Sequence, residues 1–178
     1  MDIIADARAA GLPDSLQTSP PFSGFFESQK DAQCGLHALN NAIGFKFLSV
    51  HLMQSAAVEY VAHAAREGLF ENLEDHVTES GEYSEAVMAF ALQWHQNIYC
   101  FDLNAPILPN ENSLLRLYGP DVLGVIVNKI QHHWVTFKVV NDEIWLLDSL
   151  FQPQRVTFEY FSNYVYQYPR AYLVCDIS

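Results

Sequence analysis

The chain has 178 residues, half of them hydrophobic and 13% aromatic, which suits one domain with its own core and excludes a disordered tail. Nine Lys and Arg against 21 Asp and Glu leave a net charge of −12. That balance argues against general nucleic-acid binding and against docking on anionic membranes, both of which need cations; it would steer a partner with a basic surface.

In chain order, residues 1–24 read as a leader or arm, and one domain is expected over 25–178. Asp2 to Ala10 has the composition of a short helix stopped by Gly11 and Pro13, and Ser19-Pro20-Pro21 with Ser23-Gly24 reads as irregular chain. Leu36, Leu39 and Ile43 share one face of a helix over 35–43, and Gly44 is its stop. Ser49 caps a second helix whose apolar positions recur from Leu52 to Ala64, and Gly68 ends it. With Leu69, Phe70 and Leu73 following, 49–77 reads as two helices in a hairpin. Ser84 caps a further helix with Val87, Phe90, Ala91 and Trp94 on one face.

The pattern then changes. Ile98 to Leu103 is strand-like, Asn110 to Tyr118 is a short helix closed by Gly119-Pro120, and Val122 to Val127 is a buried-strand run. Val135, Phe137 and Val139 alternate with Trp134, Thr136 and Lys138, and Asn141-Asp142 turns the chain into a strand from Glu143 to Leu147. Thr157 caps a last helix through Phe158, Phe161, Val165 and Tyr168, and Ala171 to Ile177 closes as a strand. Helices first and antiparallel strands second predict an α+β domain.

Cysteine usage and the N-terminus bound the compartment. Three cysteines without a Cys-x-x-Cys pair argue against a disulfide framework and a four-ligand zinc site. The early acids of Met1-Asp2-Ile3-Ile4-Ala5-Asp6 do not form a secretory signal, and no apolar stretch reaches the length of a membrane span. A soluble, cytoplasmic protein in a reducing environment is expected, with no cofactor and no metal.

Gln29, Cys34, His133 and Asp148 carry the candidate chemistry; none is diagnostic alone. Cys34 stands at the start of the first apolar helix, where the positive end of the dipole favours a thiolate, and Gly35 after it permits close approach. Cys100 and Cys175 lie inside strand-like runs and read as core. For the hairpin, turn residues 141 and 142 make paired positions sum to 283, so that 133 pairs near 150 and 148 near 135. His133 and Asp148 are then diagonal neighbours on adjacent strands, which suits a carboxylate fixing the tautomer of an imidazole. His132 should face away, because adjacent strand residues point to opposite faces.

His37 lies one turn after Cys34, with no carboxylate in view to orient it, and a structural polar role is expected. Asn40 and Asn41 are unusual inside a helix and should tie it to a neighbouring loop. An amide upstream of a nucleophile can donate to an oxyanion; Gln29 is the candidate, with Gln33 nearer in sequence. The order Gln, early Cys opening a helix, then late His and acid on paired strands is the arrangement of papain-like cysteine peptidases.

These residues also resemble a known family. The segment from Glu27 to Asn41 is similar to the Josephin signature, in which Gln, four residues, Cys, two residues, His and then Leu-Asn-Asn recur. The second block, His133-Trp134 followed by a strand, a turn and Trp145-Leu146-Leu147-Asp148-Ser149-Leu150, resembles it too, as does Ser80-Gly81-Glu82-Tyr83-Ser84 more softly. The resemblance spans about residues 25–177. It implies a papain-like fold, with N-terminal helices and a helical hairpin packed on a C-terminal antiparallel sheet. It implies a thiol-dependent deubiquitinase that acts on ubiquitin or polyubiquitin; a monomer is expected. It puts the nucleophile on Cys34, the base on His133, the oxyanion glutamine on Gln29 and the third member, Asn or Asp in the family, on Asp148. The stretch 42–80 is shorter than in the family's best-known member, and residues 1–24 have no counterpart in the motif, so the resemblance carries catalysis and not ubiquitin-contact residues.

Two other classes fit parts of the pattern. Bacterial peptidases that cut leaders after Gly-Gly have a similar Gln…Cys-Gly start but usually follow the acid with Pro, where this chain has Ser149. A non-cleaving ubiquitin-binding module would be expected to break the motif, which is intact here.

Overall fold

The computed structural model describes residues 21–29, 31, 33–78, 82–96, 98–101, 103, 105–129 and 133–178. The short helix expected over Asp2 to Ala10 lies outside them, as does His132. Within them the chain is α+β. Helix α1 is Cys34–Ile43, α2 is Val50–Arg66 and α3 is Glu85–His95. Strand β1 (Tyr99–Phe101) and helix α4 (Glu111–Leu114, continued as a 3-10 turn through Tyr118) precede β2 (Val122–Lys129), β3 (His133–Val140), β4 (Glu143–Leu147) and β5 (Gln154–Val156). Helix α5 (Phe158–Gln167) and strand β6 (Ala171–Asp176) complete it. The strands form one antiparallel sheet in the order β1-β6-β2-β3-β4-β5.

The helix ends follow local chemistry. Ser49, Ser84, Asn110 and Thr157 each accept a backbone N–H from the first turn that follows, which satisfies a donor the helix cannot. Gly44 ends α1 at φ 99°, a left-handed conformation that costs glycine little, and its N–H returns to the Asn40 carbonyl.

Two elements differ from the sequence expectation. The hairpin over 49–77 has one full helix, α2, and its second arm is a single 3-10 turn at Leu73–Asp75. The arm is too short to offset helix nucleation, and Val77 bridges to Tyr83 instead. The buried face of α3 also differs: Val87, Met88, Ala91 and Leu92 point inward, while Trp94 is exposed and stacks on Phe90 at the margin.

Both faces of the sheet are covered, so the middle of β3 is buried on both sides. One core joins α1, α2 and α3 to Ile126, Trp134 and Val174. The other joins α5 to Val125, Val135, Phe137, Leu146 and Leu173. Helix α1 lies in the first core with all ten residues buried. Two side chains of β3 moor it to the sheet: Thr136 Oγ1 donates to the Ala38 carbonyl at 2.7 Å and Lys138 Nζ to the Ala42 carbonyl at 2.5 Å. Burial pushes the Lys138 ammonium down to about 8. It still holds its proton at neutral pH, at the negative end of the α1 dipole.

Asn40 and Asn41 tie α1 to two different loops. Asn40 Oδ1 accepts from the N–H groups of Phe47 (3.2 Å) and Leu48 (2.8 Å), and its Nδ2 donates to the Leu48 carbonyl and to Glu27 Oε2. Asn41 Oδ1 accepts from Glu27 N–H at 2.7 Å and its Nδ2 donates to the Glu27 carbonyl at 3.3 Å. Asn40→Ala would strand several buried backbone groups, and a loss of about 3 kcal/mol or more in urea unfolding is expected. A loss under about 0.5 kcal/mol would mean that water replaces the side chain.

Candidate active site

The β3–β4 hairpin sets the first pair of groups. Its register runs Thr136↔Leu147, Phe137↔Leu146, Lys138↔Trp145, Val139↔Ile144 and Val140↔Glu143, every pair summing to 283. Asn141 and Asp142 take φ 52° and 63°, the two left-handed residues of a tight hairpin turn. No slip intervenes, so His133 and Asp148 fall on one side of the hairpin, and His133 Nε2 lies 2.8 Å from Asp148 Oδ1. That Asp148 oxygen also accepts the Leu150 N–H at 3.0 Å, which fixes the carboxylate in its own turn.

Cys34 is the first residue of α1 and is buried, at 3% exposure. His133 hydrogen-bonds to it. With Nε2 engaged by Asp148, Nδ1 is the ring nitrogen left for the thiol. Burial alone would lower the His133 pKa; the hydrogen bonds to Asp148 and Cys34, with their charges, outweigh it and raise the value from 6.5 to about 9. At neutral pH the ring is therefore an imidazolium, clamped between a carboxylate and a sulfur.

Gly35 has a packing reason. A Cβ there would stand 2.9 Å from Met88 Sδ and 3.5 Å from Trp134 Cδ1. The space is filled by side chains of α3 and β3, not by backbone or by open room for substrate. Trp134 follows His133 as Gly35 follows Cys34, so this contact sets how closely the start of α1 approaches the start of β3.

Gln29 is held from two sides. Its N–H donates to the Ser149 carbonyl at 2.8 Å, and its Oε1 accepts from Ser149 Oγ at 2.9 Å. Two residues upstream, Asn41 grips the backbone of Glu27. Gln33, which precedes α1, gives it no side-chain cap. The structure thus brings Cys34, His133 and Asp148 together and ties Gln29 to the turn that holds Asp148.

His37 is buried with its Nδ1 2.9 Å from Glu27 Oε2, off the line that a hydrogen bond needs. A carboxylate thus stands beside it after all, supplied by a residue that the sequence reading did not single out. Cys100 and Cys175 are half-buried and directly opposite each other on β1 and β6, less enclosed than core residues would be. Among the described residues no group of three or more His, Cys, Asp or Glu is arranged to hold a metal ion, and no helix is long and apolar enough to cross a membrane. Glu27 and Ser149 are the site neighbours that sequence reasoning missed. Ser149 was visible as part of the second motif block and as the residue standing where a different peptidase class has Pro, with no contact to Gln29 in view.

The profile of one protein family, Josephin, matches residues 29–172, from Gln29 to the start of the last strand. The chain belongs to the Josephin family. No curated protein matches it. The Josephin domain is papain-like, and that is the fold described above: a cysteine-led helix packed on an antiparallel sheet that carries His and acid. As a family, Josephin domains are cysteine proteases of the deubiquitinase type.

Proposed function

We propose that this Josephin domain is a thiol-dependent deubiquitinase that hydrolyses the peptide or isopeptide bond after the C-terminal glycine of ubiquitin. The observation that carries the reading is the chain of contacts from Asp148 through His133 to Cys34, at the start of a buried helix, in a member of this family. In the resting enzyme His133 has already taken the Cys34 proton, and Asp148 orients and stabilises the imidazolium. The thiolate attacks the glycine carbonyl, and the resulting oxyanion accepts from the Cys34 N–H and the Gln29 amide. The oxyanion collapses, the C–N bond breaks, and the leaving amine takes its proton from His133. Water, activated by the same imidazole, then releases the thioester.

The net charge of −12 would favour the basic, arginine-bearing tail of ubiquitin. A narrow cleft would select Gly-Gly over larger side chains. The domain acts as a monomer on ubiquitin or polyubiquitin in the cytoplasm, or in a host cytoplasm if it is delivered there, without cofactor or metal, nucleic acid or membrane.

The test is ubiquitin carrying a C-terminal electrophile, mixed with wild type and with Cys34→Ala. A covalent adduct with wild type alone is expected, with the added mass on Cys34. A folded wild type that forms no adduct, yet cuts a double-glycine leader peptide, would overturn the reading in favour of the leader-peptidase class. Adduct formation without any turnover of ubiquitin conjugates would favour a binding module.

A further inference from the structure

The turn after β4 does more than carry the acid. Residue 148 holds His133 through its side chain, and residue 149 holds Gln29 through both its carbonyl and its hydroxyl. We infer that Ser149 is a positioning residue, whose hydroxyl fixes the side-chain amide of Gln29 with its NH₂ end presented as an oxyanion donor. The inference rests on the reading of Gln29 as that donor.

The two bonds between these residues do different work. The Gln29 N–H to Ser149 carbonyl bond sets where the Gln29 backbone lies, and any residue at 149 can accept it. It leaves the side chain free to rotate about several bonds and to present either end of the amide. The Ser149 hydroxyl removes that freedom. By donating to Oε1 it engages the acceptor end, so the end turned away from Ser149 is the NH₂ donor. Ser149 is 3% exposed, so little water can compete for this bond. The Phe151 N–H donates to the Asp148 carbonyl at 2.9 Å and closes the turn, so the hydroxyl sits on a rigid support. One dipeptide thereby sets the relative position of the base and the oxyanion donor, which belong to segments 104 residues apart (Gln29 and His133). Pre-set donors are the ones that stabilise charge without reorganising as it forms.

The test is a cycle of Ser149→Ala, Gln29→Ala and the double variant, with two readouts. The first needs no substrate: the side-chain amide signals of Gln29 in a ¹H–¹⁵N spectrum. Ser149→Ala should shift or broaden them while the backbone signal of Gln29 stays near its place. The second is the kcat against KM split on a fluorogenic ubiquitin C-terminal amide. Gln29→Ala should lower kcat by about 10²-fold or more. Ser149→Ala should lower it by about tenfold with KM nearly unchanged, and should add almost nothing in the Gln29→Ala background. Ser149→Cys, similar in size but a weaker donor, should fall between wild type and Ser149→Ala.

Unchanged Gln29 amide signals, or a loss of kcat as large without Gln29 as with it, would overturn the role of Ser149. If Gln29→Ala turned over as fast as wild type, Gln29 would not be the donor and the inference would fall with it. A folded wild type inert towards ubiquitin would instead sink the deubiquitinase reading, and the amide spectrum would then decide on Ser149 by itself.

Discussion

His133→Ala is expected to lower turnover of ubiquitin conjugates by on the order of 10⁴-fold or more, as far as Cys34→Ala does. In the proposed mechanism the two residues act as one unit. The thiolate is useful only beside the imidazolium, and the imidazole has no substrate proton to move until the thiolate has attacked. Removing either therefore removes the same step, and the double variant should be no slower than either single one.

The pH dependence gives a second, independent reading. Held by Asp148 and Cys34 against the effect of burial, His133 keeps its proton to about pH 9. Wild-type turnover should persist through neutral pH and fall as pH rises through about 9, and iodoacetamide should alkylate Cys34 well below pH 8. Both features should vanish in His133→Ala. Stability follows the same sign. A pKa raised on folding from 6.5 to about 9 stabilises the fold fully below 6.5, and that contribution is lost as pH rises through about 9. Steady-state rates and alkylation rates across this range are the measurement. A His133→Ala rate within tenfold of wild type would remove it as the base.

The hairpin shows why much of this site was legible in the sequence. Register follows from turn length alone once Asn141-Asp142 is recognised, and register puts His133 and Asp148 together. The position of Cys34 at a helix start was equally local, because apolar spacing and the Gly44 stop define α1. Non-local bonds were not legible. Nothing in the spacing of Glu27 reveals that Asn41 would grip its backbone, or that its carboxylate would stand beside His37. Ser149 meets Gln29 across 120 residues, and no periodicity encodes such a contact. The short second arm of the hairpin was missed for a different reason. Leu69, Phe70 and Leu73 have helical spacing, yet Leu69, Phe70 and Leu73 are all exposed, so no core stabilises a helix there.

Asp148→Ala is expected to lower turnover by about 10³-fold or more, and Asp148→Asn by much less. The carboxylate has two tasks that the two variants separate. One is orientation: Oδ1 accepts from His133 Nε2 at 2.8 Å and from the Leu150 N–H at 3.0 Å, so it fixes both the ring and the turn. An amide oxygen can do this as well, in keeping with a family pattern that admits Asn or Asp. The other task is charge. Only the carboxylate stabilises the imidazolium, and this is part of what raises the His133 pKa to about 9. Asp148→Asn should therefore keep most of the rate near pH 7 but bring its alkaline fall down from about 9, because the neutral amide no longer offsets burial of the ring. Asp148→Ala should lose orientation and charge together and leave His133 Nε2 and the Leu150 N–H without this acceptor, which should also lower Tm. Rate–pH profiles of the two variants on one substrate decide the matter. If Asp148→Asn fell as far as Asp148→Ala, charge would dominate; if its alkaline limb stayed at pH 9, Cys34 rather than Asp148 would be what holds the proton on His133.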